Sequence, residues 1–300
     1  MIIGIDLGGT HLRAAAYARG QTVHERRELV GEPRDPETII ARIAKLVTDF
    51  AGTDERVSVG VGIAAMLRDR RGTVANSPHL RWRDVAFGER LAAALGPRVE
   101  LGVYNDVNAI TWGEVSAGAA RGCRDVLGVY IGTGIGAGVV VDGRLVEGAT
   151  NTAGELGHTK VRWDDAAEPC ACGQRGCLEA YLGGSYLERR LAPRWAFASD
   201  VDRAAAEGDA KALALWSELS TLFAVALANA VALLNPERVV LGGGVLSRCP
   251  LLYELIATAL YVAAPRASAE HLSLVEAELG DDAGLIGSAR LAEAGVSILG

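Results

Sequence analysis

The chain has 300 residues, 50% of them hydrophobic and 22% charged, enough to bury a substantial core and, by length, to form two domains. Its net charge is −7 with Arg and Lys scattered, which argues against an electrostatic nucleic-acid footprint and against a membrane-surface role. The opening "MIIGIDLGGT" enters a strand pattern with no basic leader or cleavage site, and the apolar run Leu222–Leu234 is shorter than a bilayer span, so a soluble, cytoplasmic protein is expected.

"IIGIDLGG" reads as a buried strand ending in glycines, and "HLRAAAYARGQTVHERREL" continues as strand with a turn at Arg19-Gly20. "PETIIARIAKLVTDFAG" has apolar residues at helical spacing and stops at Gly52. A strand over "VSVGVGIAAM", a helix over "DVAFGERLAAALG" and a strand over "VELGVYNDVNA" running into a loop and helix follow. Strand–helix alternation of this kind predicts an α/β fold. From Asp125 the layout restarts. "VLGVYIGTGIGAGVVVDGRLV" matches "IIGIDLGGTHLRAAAYARGQTV", with Gly4 sixteen positions before Gly20 and Gly128 fifteen before Gly143. Short hairpins resemble one another, yet agreement across two turns favours an internal duplication, with a boundary between Val107 and Gly122. The expected domains are 1–115, joined by a terminal helix over 285–300, and 116–284. Beyond the repeat, "DAKALALWSELSTLFAVALANAVALLN" predicts a long buried helix stopped by Asn235-Pro236. "RVVLGGGVLS" predicts a strand ending in three glycines, and "DAGLIGSARLAEAG" a terminal helix. "WDDAAEP" is the stretch expected to be flexible.

A strand ending in Gly8-Gly9-Thr10 lets backbone N–H groups approach an anion, because no Cβ stands in the way. Asp6, at the strand end, is placed to hold a hydrated Mg²⁺. One such turn is equally a plain hairpin. A second turn at Thr133-Gly134 and a third at Gly242-Gly243-Gly244 favour a nucleotide clamped between two domains, although neither the dinucleotide nor the P-loop spacing is present. In "YNDVNA", Asn105 and Asp106 offer an amide and a carboxylate for hydroxyl groups, and a carboxylate there can take a hydroxyl proton during phosphoryl transfer. The alternative is an Asx turn capping the next helix. Glu155, His158 and Glu179 would suit a polyhydroxylated ligand, or be solvated surface groups; His158 is equally a metal ligand or a helix-end donor.

"CACGQRGC" holds Cys170, Cys172 and Cys177, three of the five cysteines. A disulfide would leave an odd thiol, and the redox Cys-x-x-Cys spacing is absent. A zinc site with His158, the nearest upstream histidine, as fourth ligand is the favoured reading. Cys123 and Cys249 read as structural thiols.

Taken together, "IGIDLGGTHLRAAAY", "NDVNA", "IGTGIGAGVVVDGRL", "AGELGH", "CACGQRGCLEAY" and "VVLGGGV", in that order, resemble the ROK family of repressors and sugar kinases. The resemblance implies an actin-like, hexokinase-type duplicated fold, with two α/β domains around an interdomain cleft. It implies an ATP- and Mg²⁺-dependent kinase acting on the 6-hydroxyl of an aldohexose, glucose by default, with allose, N-acetylmannosamine or an amino sugar such as kanosamine as alternatives. Asp106 would be the catalytic base. Gly8, Gly9, Thr10, Thr133 and Gly134 would line the ATP phosphates, and Gly243 and Gly244 the nucleoside. Asn105, Asp106, Glu155, His158 and Glu179 would contact the sugar, and His158 would share a structural zinc with Cys170, Cys172 and Cys177. Family kinases carry Asn in a "PNLxW"-like stretch where "NSPHLRW" has His79, which bears on the hydroxyls read by that position. A repressor of this family carries a helix-turn-helix ahead of the first hairpin, which here begins at residue 2; a non-catalytic sugar-responsive regulator is a further alternative. A homodimer or homotetramer is implied by the resemblance alone.

Overall fold

The computed structural model describes residues 1–54 and 56–294; the part of the expected terminal helix beyond residue 294 lies outside them. The chain divides into two compact units, one of residues 1–122, 145–153 and 278–294, the other of 123–144 and 154–277.

The first unit begins with β1 (Ile2–Leu7), β2 (His11–Ala18) and β3 (Gln21–Leu29), then α1 (Pro36–Ala51) and β4 (Val57–Ile63). β5 (Met66–Leu67), β6 (Val74–Ser77), β7 (Trp82–Val85), α2 (Phe87–Leu95), β8 (Val99–Asn105) and α3 (Asp106–Ala117) follow. The main sheet has the order β3-β2-β1-β4-β8, with β5, β6 and β7 in a small sheet of their own. β1 to β3 are an antiparallel meander, while β4 and β8 run parallel to β1. α1 forms as its spacing predicts: Ile39, Ile43, Leu46, Val47 and Phe50 are buried, Asp35 accepts from the Thr38 N–H at 2.9 Å, and Gly52, with φ of 51°, ends the helix. Burial of each such side chain stabilises by about 1.5–3 kcal/mol. α2 starts later than its spacing suggests. Arg81 and Asp84 take positive φ, 61° and 52°, and steer the chain through β7 first.

The helix Ala283–Glu293 packs on β1, β4 and α3 of this unit. The glycines of "VSVGVGI" are explained by that contact: a methyl on Gly60 would fall 1.9 Å from the Ser288 carbonyl oxygen. Any side chain there pushes the helix off the sheet.

The second unit holds β9 (Val126–Ile131), β10 (Ile135–Val141), β11 (Arg144–Leu145, at its border), α4 (Glu179–Leu182), α5 (Gly184–Leu191), α6 (Ala198–Ala206) and α7 (Ala210–Leu234). β12 (Arg238–Gly242), α8 (Pro250–Ala263), α9 (Arg266–Ala269) and β13 (Ser273–Glu276) complete it. Its sheet order, β11-β10-β9-β12-β13, repeats that of the first unit strand for strand. The duplication extends to the turns: Arg19-Gly20 (φ 53°, 79°) and Asp142-Gly143 (φ 50°, 70°) both have the positive φ pair of a type I′ hairpin. Asp6 and Tyr130 occupy the same place in their strands, so the second hairpin lacks the carboxylate of the first. α7 spans 25 residues and is apolar enough to cross a membrane by length and composition, but half of that apolar window is buried in the unit. It is a core helix, capped by Asp209 and ended by Asn235 in the left-handed conformation. The "WDDAAEP" stretch holds a turn closed by Ala167 N–H donating to Asp164 O at 3.0 Å, and its last residue, Pro169, pairs with Arg175 in an antiparallel bridge.

Candidate active site and metal centre

In the first unit, the β1–β2 hairpin turns through Gly8, Gly9 and Thr10, with the Gly8 N–H donating to His11 O at 3.0 Å. Its register sets Asp6 opposite Arg13. Arg13 Nη1 donates to Asp6 Oδ2 at 3.1 Å, and Nη2 to Asp281 Oδ2 at 2.9 Å. Burial pushes the Asp6 carboxyl above its ordinary range, and the Arg13 guanidinium opposes that rise. Asp6 is the carboxylate of this turn that would hold a hydrated Mg²⁺, an ion that keeps several of its own waters. His79 borders the same turn: a methyl on Gly9 would fall 2.6 Å from His79 Cβ, so only glycine permits the approach. The His79 backbone is fixed by Arg34, whose Nη1 donates to His79 O at 2.7 Å.

β8 delivers Asn105 and Asp106 to the start of α3. Asn105 is the N-cap; its Oδ1 accepts from Val107 N (2.9 Å) and Asn108 N (3.2 Å), and its Nδ2 donates to Ala65 O at 3.2 Å. The Asx cap is therefore present, and it occupies most of the amide that was expected to read a sugar. Asp106 is the first residue of the helix, where the positive end of the macrodipole favours a carboxylate. Its Oδ1 accepts from Val107 N at 3.0 Å.

In the second unit, β9 and β10 turn through Gly132, Thr133 and Gly134. The turn is clamped from outside: Gly184 N donates to Gly132 O at 2.9 Å and Ser185 N to Thr133 O at 3.1 Å. Glu179, at the start of α4, reaches into it. Its Oε2 accepts from Ile135 N at 2.8 Å, and a methyl on Gly134 would fall 2.3 Å from that oxygen. A residue expected at the sugar thus also holds the turn expected to line the phosphates. Past β12, Gly243 has φ of 96° and lies against the Ile131 backbone, while Gly244 faces open space.

Glu155 and His158 flank a short 3₁₀ turn, with His158 Nε2 3.7 Å from Glu155 Oε2. Burial pushes the Glu155 carboxyl up; His158 opposes the rise and Glu179 adds to it. The other face of the imidazole turns to the cysteines, with Nδ1 3.7 Å from Cys170 Sγ, and Cys172 Sγ lies 3.6 Å from Cys177 Sγ. One ligand atom from each of His158, Cys170, Cys172 and Cys177 lies within 4.8 Å of every other. A tetrahedral zinc with ordinary bond lengths has ligand–ligand edges of about 3.5–3.8 Å. The donor set and its spacing fit zinc, and four protein ligands leave no open position for a catalytic water.

Each unit therefore gathers its share of the expected residues: Asp6, Gly8, Gly9, Thr10, His79, Asn105 and Asp106 in the first, and Thr133, Gly134, Glu155, His158, Glu179, Gly243, Gly244 and the three cysteines in the second. Three partners escaped the sequence reading. Arg13 could have been found from register alone, because the four residues between the paired Leu7 and Leu12 set it across from Asp6. Glu114, fully buried, accepts from the N–H groups of Ala119, Glu278 and Leu279, an arrangement that no local spacing announces. Lys160 reaches Cys177 across a two-strand bridge that forms only in the folded loop.

Comparison with known proteins agrees with this layout. The family model described as ROK family matches residues 2–294. A glucokinase of Streptomyces coelicolor is 30% identical over 316 residues, spanning 97% of this chain and 97% of its own. An N-acetyl-D-glucosamine kinase of Erwinia tasmaniensis is 35% identical over 270 residues, 85% of this chain and 87% of its own. The crystal structure of a ROK family glucokinase from Streptomyces griseus in complex with glucose and AMPPNP aligns with a TM-score of 0.76 at 29% identity, over 98% of this chain and 99% of that one. The chain belongs to the ROK family.

Proposed function

We infer that the protein is an ATP-dependent sugar kinase, and we propose that it phosphorylates the 6-hydroxyl of an aldohexose, with glucose as the first substrate. The observation that carries the reading is Asp106, a carboxylate at the first residue of α3, in a chain that keeps both glycine hairpins. In this reading the sugar O6–H proton passes to the Asp106 carboxylate, O6 forms a bond to the γ-phosphorus, and the bond from that phosphorus to the ADP oxygen breaks. The positive end of the α3 dipole favours the negative charge that Asp106 needs as acceptor. Backbone N–H groups of the Gly8-Gly9-Thr10 and Gly132-Thr133-Gly134 turns donate to phosphate oxygens, and Gly243 and Gly244 leave room for the nucleoside. Bound Mg²⁺, held through Asp6, would neutralise charge on the β- and γ-phosphates. Glu155, His158 and Glu179 orient the sugar hydroxyls. His158 would do so through Nε2 while Nδ1 lies on the side of the cysteines, so a zinc held by His158, Cys170, Cys172 and Cys177 would brace a sugar-facing loop.

A second reading, a kinase for an acetamido or amino hexose, is favoured by the 35% identity to an N-acetyl-D-glucosamine kinase and by His79 beside the phosphate turn. N-Acetylmannosamine, kanosamine and allose belong to the same test. ATP consumption is measured with each of these sugars and with glucose, mannose and N-acetylglucosamine. Fastest turnover of glucose supports the first reading, and turnover of an acetamido sugar alone moves the substrate to the second. No turnover on any sugar refutes the kinase. A cytoplasmic homodimer or homotetramer goes with this reading, and light scattering on the purified protein tests the assembly.

A further inference from the structure

The zinc ligands carry more negative charge than the metal cancels. Three thiolates bring three negative charges and zinc two positive, with His158 neutral, so the closed site keeps one negative charge. Cys170 and Cys177 are buried, where an uncompensated charge is costly. The Lys160 backbone pairs with that of Cys177 in an antiparallel bridge, and its Nζ lies 2.7 Å from Cys177 Sγ and 3.5 Å from His158 O. The side chain is thus anchored on two ligand residues at once.

We propose that Lys160 is the counter-ion of the metal site. Its ammonium brings the site to neutrality, and its N–H donor holds the Cys177 thiolate in the position the metal requires. Lysine suits the task as a compact point charge on a flexible stem, which can meet a sulfur without the planar fork of arginine. Lys160 touches none of the phosphate residues assigned above, and it meets the sugar residues only at the backbone carbonyl of His158. It is a positioning residue, acting through Cys177, and the inference rests on the zinc assignment rather than on the choice of sugar.

The test uses the full-length protein loaded with zinc, with Lys160→Met (stem kept, charge removed) and Lys160→Arg (charge kept). Zinc per chain is measured by elemental analysis, and zinc transfer to a coloured chelator is followed over time. Outer-shell partners typically account for about 10–100-fold in metal affinity. Lys160→Met should lose zinc tighter-binding by that factor and release it correspondingly faster, while Lys160→Arg stays within about 3-fold of the parent. Equal zinc retention in Lys160→Met and the parent overturns the proposal. So does equal damage in both variants, which would mean that the shape of the stem matters rather than its charge. Should Lys160→Met not fold, Lys160→Gln reads the same quantity; failure of both to fold in excess zinc also contradicts a role confined to charge. A parent protein that retains no zinc after loading removes the basis of the inference altogether.

Discussion

Replacing Glu179 with alanine should weaken nucleotide binding even when no sugar is present. The Ile135 N–H, at the exit of the second glycine turn, donates to Glu179 Oε2 at 2.8 Å, and Ile135 is 5% exposed. A hydrogen bond to a charged acceptor contributes about 1.5–3 kcal/mol, and truncation leaves a buried donor without its partner. The Gly132-Thr133-Gly134 turn then loses the contact that fixes its shape against α4. If that loss is expressed fully in the population of the phosphate-ready turn, nucleotide affinity falls by about 10- to 150-fold. Glu179→Gln keeps a neutral acceptor oxygen and should lose less, about 10-fold or under. Calorimetric titration of sugar-free protein with a non-hydrolysable ATP analogue measures both variants, with thermal unfolding as the control for folding. Parental affinity in Glu179→Ala would refute the reasoning, because Glu179 would then be a sugar contact with no hold on the phosphate turn.

Three further outcomes follow from the geometry. Asp106→Asn should bind sugar with near-parental affinity while kcat falls by about 10²–10⁴-fold, the span of a lost general base; a kcat within a few-fold of the parent contradicts the role. Gly60→Ala should destabilise by about 1–3 kcal/mol in denaturant titration, since the added methyl meets the Ser288 carbonyl oxygen of the C-terminal helix at 1.9 Å; unchanged stability would mean that the helix does not press on the sheet. Burial raises the folded-state titration of Asp6, so its stabilising contribution is full below the unfolded carboxyl value, about pH 4, and is lost as pH rises through the raised value. The stability difference between the parent and Asp6→Asn should therefore shift against the parent as pH climbs above about 4, and a pH-independent difference refutes the sign.

The local signals that survive folding were legible in the sequence. Both hairpins, α1 and α7 follow from periodicity, caps and turn residues, and the repeat of Gly4 and Gly128 marks strands that occupy the same place in two sheets of identical order. The full extent of the duplication was hidden because different insertions separate the later strands: α1 precedes β4 in one unit, whereas the cysteine loop and α4 to α7 precede β12 in the other. The small β5–β7 sheet was missed because "DVAFGERL" carries helical spacing, while the positive φ of Arg81 and Asp84 is invisible in residue type alone. Site chemistry split along the same line. The cysteine cluster, Glu155 and Asp106 stand out by type and spacing. The Glu179–Ile135 bond, the Lys160–Cys177 contact and the Arg13–Asp6 pair depend on register or on loop closure. Of the two readings offered for Asn105, the helix cap is present in the structure.

The most direct test of the central claim is identification of the product. Protein, ATP, Mg²⁺ and glucose are incubated and the sugar is examined by phosphorus and carbon NMR, with Asp106→Asn in parallel. The account predicts a phosphomonoester on C6 and stoichiometric ADP, both formed at least about 10²-fold more slowly by the variant. A phosphorylated anomeric carbon, or ADP formed equally with and without sugar, would contradict it.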